Sequence, residues 1–340
     1  MALVSGTSTR YPLVGFREDL EDTIWDLFPE DTWLLSNLEK VSTSSTFHEW
    51  QTDNLAGATA NRQLEGDDAS YSTLAATVRM GNYSQISRKT FILSRSAQSS
   101  KQAGVRNQVA RYGMKLMREL KRDMELALVG NQASSAGGVA TARSSGGMES
   151  WISGTTQNAG TAGNAIRATT TADTATTIGF ASGVVTAPTD GSTTGALTVA
   201  ALNSALQGAW EDGGDPRIIL VGATQKAAID GFTGVATRFV DVDKAAQASI
   251  IGAANLYVSD FGRHTVMLHR YMRTSVVLCI DPDYWAVAYL DKPFMEPLAK
   301  TGDADKRQLL AEYCLVARAP GTSPVNGSVG GASSKVVACA

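Results

Sequence analysis

Histidine is the side chain most often used for proton transfer and metal binding near neutral pH. This chain has three: His48, His264 and His269. The last two lie five apart in a stretch that reads as strand, so they project to opposite faces and cannot share a metal. The carboxylate pairs Asp67-Asp68, Asp241/Asp243 and Asp281/Asp283 have the residue types for general acid–base work. Each sits among turn residues, where a solvated carboxylate is the ordinary state. Asp303, Asp305 and Glu312 beside Gly302 could offer oxygens to calcium, but their spacing is not that of an EF-hand loop. Cys279, Cys314 and Cys339 are odd in number and widely spaced, which argues against a disulfide framework or a zinc site. Cys279 lies in the apolar run Val276–Ile280 and reads as a small core residue. The dipeptide Gly-Lys and the pattern Gly-x-Gly are absent, so neither a phosphate loop nor a dinucleotide fingerprint is present. A Gly-x-Ser-x-Gly nucleophile elbow is absent too. No catalytic, cofactor-binding or metal-ligating set emerges, and the chain is read as a non-enzyme.

The bulk properties point the same way. The chain has 340 residues, 43% of them hydrophobic and 19% charged, with a net charge of −3. It is long enough for one large core or two modest ones. It lacks the basic balance of a nucleic-acid reader. No window approaches the ~18 consecutive apolar residues of a membrane span, and the start, Met1-Ala-Leu-Val-Ser-Gly-Thr, shows no leader pattern. The cysteine usage suggests folding in a reducing cytosol.

The elements that would position any site follow from periodicity. Residues 1–16 read as an arm, and Glu18 to Phe28 as a short acidic helix ended by Pro29. Phe47–Thr52 and Gln85–Leu93 read as strands, separated by about thirty polar or small residues. A hairpin with so long and thinly apolar a tip cannot bury itself, so it is expected to lie on a neighbouring subunit. Val105, Val109, Tyr112, Leu116, Leu120, Met124 and Leu128 step by three or four and predict a helix over 99–129, with Lys115/Glu119 and Lys121/Glu125 as supporting pairs. That helix carries seven basic and three acidic side chains, whereas 49–68 carries five acidic and one basic. The two segments are expected to attract each other between subunits. The contact candidates are Trp50, Asp53, Glu65, Asp67 and Asp68 on the loop and Arg106, Arg111 and Lys115 on the helix. Trp50 and Tyr83 read as packing anchors.

Residues 132–197, rich in Ala, Gly, Ser and Thr, predict loops and irregular strands anchored at Met148 to Ile152, too thinly apolar for a major core. Val199 to Glu211 predicts a helix capped by Thr198, with Val199, Leu202, Leu206 and Trp210 on its inner face and Gly213-Gly214 as its stop. Next come a buried strand at Arg217–Val221, a short helix at Gln225–Asp230, and two strands around Gly262-Arg263. A hairpin over Ser275–Leu290 is expected to turn at Asp281-Pro-Asp. A last strand at Gln308–Arg318 precedes a Gly/Ser-rich tail.

Against this background a set of short motifs in fixed order resembles the tailed-phage major capsid proteins of the Hong Kong 97-like coat fold. They are Arg17-Glu-Asp-Leu20, Pro29-Glu-Asp-Thr32, Glu49-Trp50 with Asp53, Glu65-Gly66, Arg79, Gly81-Asn82, Gln85-Ile86 and Ser94-Arg95-Ser96. Further on come Gly104, Glu119-Leu120, Asp123, Glu125 to Leu128, Gly213-Gly-Asp-Pro216, Ile219-Leu-Val-Gly222, Lys226, Tyr257, Asp260-Phe-Gly262, Asp281-Pro282, Leu298-Ala-Lys-Thr-Gly-Asp303 and Glu312. Trp33 stands where the family usually has proline. The resemblance covers roughly residues 15–318.

It implies an α+β fold with an N-terminal arm (1–45), an extended β-hairpin loop (46–93), a peripheral domain (94–215) with the spine helix, an axial domain (216–300), and a return to the peripheral domain with a C-terminal tail (301–340). It also implies self-assembly through hexamers and pentamers into an icosahedral shell around double-stranded DNA, without sequence-specific binding. The expected partners are copies of itself, a portal, and separate scaffolding or decoration proteins. The place of work would be the virion, after assembly in the host bacterial cytoplasm. Some shells of this fold join a lysine on the extended loop to an asparagine elsewhere; no lysine occurs from 41 to 88 here, so no such mesh is expected. A nanocompartment shell of the same fold is the rival reading, and an enzyme with an unrecognised site a more distant one.

Overall fold

The computed structural model describes residues 31–53, 60–66, 68, 71, 73–74, 76–100, 104–152, 165–167, 179–181, 183–187, 196–211, 213–232, 255–319 and 334–338. The acidic helix expected at Glu18 to Phe28 lies outside them. In chain order the elements are α1 (Trp33–Asn37), β1 (Glu39–Ser42), β2 (Phe47–Thr52), β3 (Val78–Tyr83), β4 (Gln85–Ser94), α2 (Arg95–Ser99), α3 (Gln108–Val129) and α4 (Met148–Ile152). There follow β5 (Ala165–Arg167), β6 (Gly179–Ala181), β7 (Val184–Thr186), α5 (Val199–Glu211), β8 (Ile218–Val221) and α6 (Ala223–Asp230). The chain then runs through β9 (Leu256–Ser259), β10 (Gly262–Leu268), β11 (Val276–Ile280), a 3₁₀ turn (Pro282–Tyr284), β12 (Trp285–Pro297), β13 (Ala304–Ala317) and β14 (Lys335–Ala338).

Two sheets organise the molecule. One has the order β1-β12-β13-β4, the other β5-β14-β11-β8-β10-β9; β2-β3 and β6-β7 are separate two-stranded ribbons. The six-stranded sheet is a wall between two cores. Along β11 every residue is buried, because Leu278 and Ile280 face one core while Val277 and Cys279 face the other. The same alternation divides Leu220 from Ile219 and Val221 on β8, and Val336 from Val337 on β14. A strand covered on both sides reads as a continuous apolar run, which is how Val276–Ile280 looks in the sequence.

Several pairings differ from the expectations. Gln85–Leu93, read as the return limb of the 46–93 loop, is part of β4, which pairs antiparallel with β13 and belongs to the four-stranded sheet. The return limb of the ribbon is β3, in register with β2 from Phe47↔Tyr83 to Thr52↔Val78. Gln85 to Ser94 alternates half-buried and exposed, as befits an edge strand with α3 on one face. The expected Ser275–Leu290 hairpin is instead a crossover: β11 ends in the six-stranded sheet, and β12 starts in the other. Asp281 makes that turn, its carboxylate accepting from the N–H groups of Asp283 and Asp215. The Gly/Ser-rich tail ends in a strand, β14, that sits inside the six-stranded sheet.

The long helix is shorter than predicted, 22 residues rather than 31, or about 33 Å at 1.5 Å per residue. Gly104 takes a left-handed φ of 72°, and the Asn107 side chain caps the helix by accepting from Ala110 N–H at 3.2 Å. Residues before 107 therefore form α2 and a connection. Gly113 faces Met295, whose sulfur would be 3.3 Å from any added Cβ, so the helix lies close over β12. Met148, Trp151 and Ile152, the anchor expected within 132–197, are fully buried and belong to the main core. On α5 the inner face is Ala201, Leu202, Ala205, Leu206 and Ala209, while Val199 and Trp210 turn outward. Thr198 caps α5 as expected, its hydroxyl accepting from Ala201 N–H at 3.2 Å.

Glu125 makes no pair with Lys121. It is fully buried and accepts from Leu34 N–H at 2.7 Å, Leu35 N–H at 3.0 Å and His269 Nε2 at 2.9 Å. Thr32, at the N-cap of α1, makes no side-chain cap, so a carboxylate from α3 satisfies the first turn of α1 instead.

Replacing Glu125 by Ala leaves two backbone N–H groups and a histidine unpaired in the core. It should cost on the order of 3 kcal/mol, read as a lower urea midpoint at unchanged slope. Burial pushes the Cys279 and Cys314 thiols and the Tyr289 and Tyr313 phenols up to about 12. These groups are held neutral, so their contribution is complete below the ordinary thiol value of 9.0 and is lost as pH rises towards 12. Stability should fall steadily as pH rises above about 9. In a Cys339→Ser background, Ellman's reagent should find no reactive thiol until denaturant is added.

Candidate assembly surfaces

The β2-β3 ribbon is held at its base and bare at its tip. At the base, Asn82 is fully buried on a strand. Its amide donates to Leu315 O at 2.7 Å, Ser145 Oγ at 3.1 Å and Gly146 O at 3.3 Å, and its carbonyl accepts from Gly146 N–H at 2.9 Å. Beside it, Glu312 accepts from Ser84 at 2.5 Å and from Arg143 at 2.6 Å. Gln132 donates to Gln85 at 2.6 Å and to Ser145 O at 3.0 Å. These bonds tie β3, β4, β13 and the 131–147 segment into one polar knot. A knot of this kind holds only when every member is satisfied.

At the base Phe47 and Tyr83 also pack at 4.5 Å between ring centroids, and further out Glu49 pairs with Arg79 across the strands. Any side chain at Gly81 would meet Phe47 at 2.6 Å and His48 O at 2.9 Å, so the ribbon closes tightly there. Beyond Thr52 and Val78 the described tip residues are solvent-facing: Leu64 is 80%, Tyr71 97% and Leu74 94% exposed. Among the described residues nothing covers these three.

The candidate contact residues divide. Trp50 packs against Trp151 at 5.5 Å and fills a gap beside Ala286, Ala288 and Cys314, so its ring is spent within the subunit as a packing anchor. Asp53, Glu65 and Asp68 are exposed, and Asp67 lies outside the described residues. Arg106 and Lys115 are exposed; Arg111 is half-buried with its guanidinium 5.8 Å from the Tyr112 ring. Lys115 and Glu119 approach to 4.0 Å, a weak surface pair. Asp123, the second of three acidic residues on α3, is paired with Lys89 at 2.6 Å.

Lys89, Lys115, Glu119, Arg122, Asp123, Leu126 and Tyr271 line an open groove of about 440 Å³ along α3. Arg122 donates to the Tyr271 hydroxyl at 2.7 Å, which fixes one wall. Of the candidate metal or acid–base carboxylates, the Asp241/Asp243 pair lies outside the described residues, and those around Asp281 and Asp305 are engaged with cationic side chains. Asp305 faces Arg307 at 3.3 Å, Glu312 faces Arg143, and Asp281 and Asp283 lie around Arg217. His264 bonds Ser259 Oγ and Pro216 O, and His269 bonds Glu125, so the two histidines have separate structural partners. Among the described residues no three metal-capable side chains cluster, and no helix is long and apolar enough to cross a membrane.

Sequence reasoning missed the polar knot. Its one visible signal was an asparagine amid strand residues, since Asn is depleted from strands unless its amide is used. Glu125 was visible as a helix-surface partner of Lys121 and as a motif residue, neither of which signals its burial.

The comparisons agree with this geometry. The sequence profile described as SU10 major capsid protein matches residues 3–324. The major capsid protein of Escherichia phage Phieco32 is 34% identical over 108 residues, 32% of this chain and 31% of the phage protein; the match spans about a third of that relative's length. Among solved structures, the Cyanophage A-1(L) capsid subunit aligns with a TM-score of 0.62 at 14% identity, over 95% of this chain and 97% of that one. A chain of Mycobacterium phage Bobi aligns at 0.58 and 9% identity, over 95% of each chain. At such identities the structural matches speak for the fold: the mixed α+β architecture is the Hong Kong 97-like one of tailed-phage capsids. The match over nearly the whole chain decides the family, and this chain belongs to the SU10 major capsid proteins.

Proposed function

We propose that this chain forms the icosahedral shell of a tailed double-stranded DNA phage by binding copies of itself, and that it catalyses nothing. The observation that carries the reading is the ribbon tip. Leu64, Tyr71 and Leu74 place large apolar side chains in water at the end of an arm whose base is rigidly anchored. An exposed apolar group on a well-built projection marks an interaction site.

Hexamers and pentamers of the shell would each be closed by such arms lying on adjacent subunits. Each contact can be weak, since many act together around a ring. The region 1–45 would serve as an arm, 46–84 as the extended loop, α3 as the spine of a peripheral unit, and the six-stranded sheet as the axial unit. A portal and separate scaffolding or decoration proteins would complete a particle assembled in the host cytoplasm. The mildly acidic net charge of −3 suits a container that must not grip its DNA.

Negative-stain electron microscopy of the chain expressed alone should show closed shells or curved sheets tens of nanometres across. If only small oligomers form alone and again with the neighbouring genes, the shell reading fails. The triple variant Leu64→Asp, Tyr71→Asp, Leu74→Asp should keep the wild-type circular dichroism and urea midpoint, because those side chains touch no core. It should form no shells; shells at wild-type yield would remove the tip from the assembly contacts. Asn82→Ala should cost about 2 kcal/mol by leaving buried groups unpaired, and should speed amide exchange in Phe47–Thr52 and Val78–Tyr83.

A further inference from the structure

The C-terminal strand occupies a slot rather than an edge. β14 lies between β11 and β5, antiparallel to the first from Val276↔Ala338 to Cys279↔Lys335 and parallel to the second from Val336↔Ala165 to Ala338↔Arg167. Val336 reaches one core and Val337 the other, both almost wholly buried. Ser334, also buried, accepts from Trp285 Nε1 and from Asp281 N–H, each at 3.0 Å. An empty slot would leave two unpaired strand edges and a buried indole donor without a partner. It must therefore be filled, and every contact that fills it belongs to residues 334–338.

The path leading to the slot is far longer than the gap it crosses. After β13, Arg318 N–H bonds Tyr284 O at 2.9 Å, so the chain leaves from the turn that joins β11 to β12. Ser334 is fastened to Asp281 and Trp285, at the two ends of that same turn. A few residues would bridge two points so close, at about 3.3 Å per extended residue. The sequence spends fifteen, 319–333, of which four are glycine, two are proline and none is charged. That length reaches roughly 50 Å when extended, the scale of a neighbouring subunit. A slot that reads only residues 334–338 and a surplus tether are together what exchanging a strand between identical chains requires.

Resting on the shell reading, we propose that the slot between β5 and β11 is a strand-acceptor site, filled in the assembled protein by residues 334–338 of a second copy. The link would join subunits through the six-stranded sheets, apart from the ribbon tips and the groove along α3. No new chemistry is needed, because the second copy's strand repeats the register and the serine anchor already described.

The test uses two full-length chains carrying different tags, both with Cys339→Ser. The donor has Lys335→Cys with Cys279→Ala; the acceptor keeps Cys279 and Lys335. Residues 279 and 335 are direct register partners, within the Cα separation that a disulfide spans. Because the two cysteines are on different chains, a bond between them can form only if a tail has crossed. After co-expression, assembly and mild oxidation, a non-reducing gel should show a covalent donor–acceptor dimer that reductant removes. A single chain with both Cys279 and Lys335→Cys should form one such bond per chain and gives the maximum yield. A dimer yield above a tenth of that maximum supports exchange; a smaller yield overturns it. Electron micrographs of the same sample keep the two proposals apart. Shells without the dimer sink the exchange alone, whereas a sample without shells counts against the shell reading whatever the gel shows.

Discussion

A single buried carboxylate sets the position of the long helix and of the elements that converge on it. Taking an ionised group out of water costs several kcal/mol unless its lone pairs are all used. Glu125 meets that condition with three donors, two from the first turn of α1 and one from His269 at the end of β10. Three stretches far apart in sequence thereby converge on one turn of α3. Tyr289 lies close enough that burial and the Glu125 charge both raise its pKa. With α3 held there, the groove beside Tyr271 and the sheet face under Gly113 follow.

The second constraint is the shared wall. Because the six-stranded sheet separates two cores, its strands cannot shift register without moving side chains from one core into the other. This explains why β11 crosses to β12 through a fixed turn rather than a loose loop. Asp281 braces the turn from within, and Ser334 braces it from the far end of the chain. The ribbon, by contrast, is rooted by polar bonds alone on one side and ring packing on the other. It is rigid at the base and carries its apolar groups outward.

Much of this was legible in the residues themselves. Periodicity located α5, α6 and β8 to within two or three residues, and the apolar run at Val276–Ile280 announced a strand buried on both faces. The family resemblance and the unburied ribbon pointed to assembly, and no combination of His, Cys or carboxylates suggested catalysis. What was not legible was pairing. Gln85–Ser94 has the alternation of a ribbon strand and of a sheet edge alike, and only its partner β13, more than two hundred residues on, decides between them. The start of α3 was overdrawn because Val105 continues the helical spacing, while Gly104 and Asn107, which break it, act through backbone angle and capping. Trp210 fitted the inner stripe of α5 by count, yet the buried stripe runs through Leu202, Leu206 and three alanines and leaves Trp210 outside. Glu125 and Asn82 were hidden for one reason: a buried polar residue is recognisable only from the partners that satisfy it.

The four-stranded sheet has one further consequence. β1 lies parallel to β12, and β4 lies against β13, so residues near the start of the chain are completed by residues near its end. Neither pairing is available while the polypeptide is still on the ribosome with its last quarter unsynthesised. Such long closures are slow, and they leave strand edges open in the meantime. The nascent subunit therefore spends its translation time without its four-stranded sheet. A need for protection of those open edges during synthesis is built into the order of the strands.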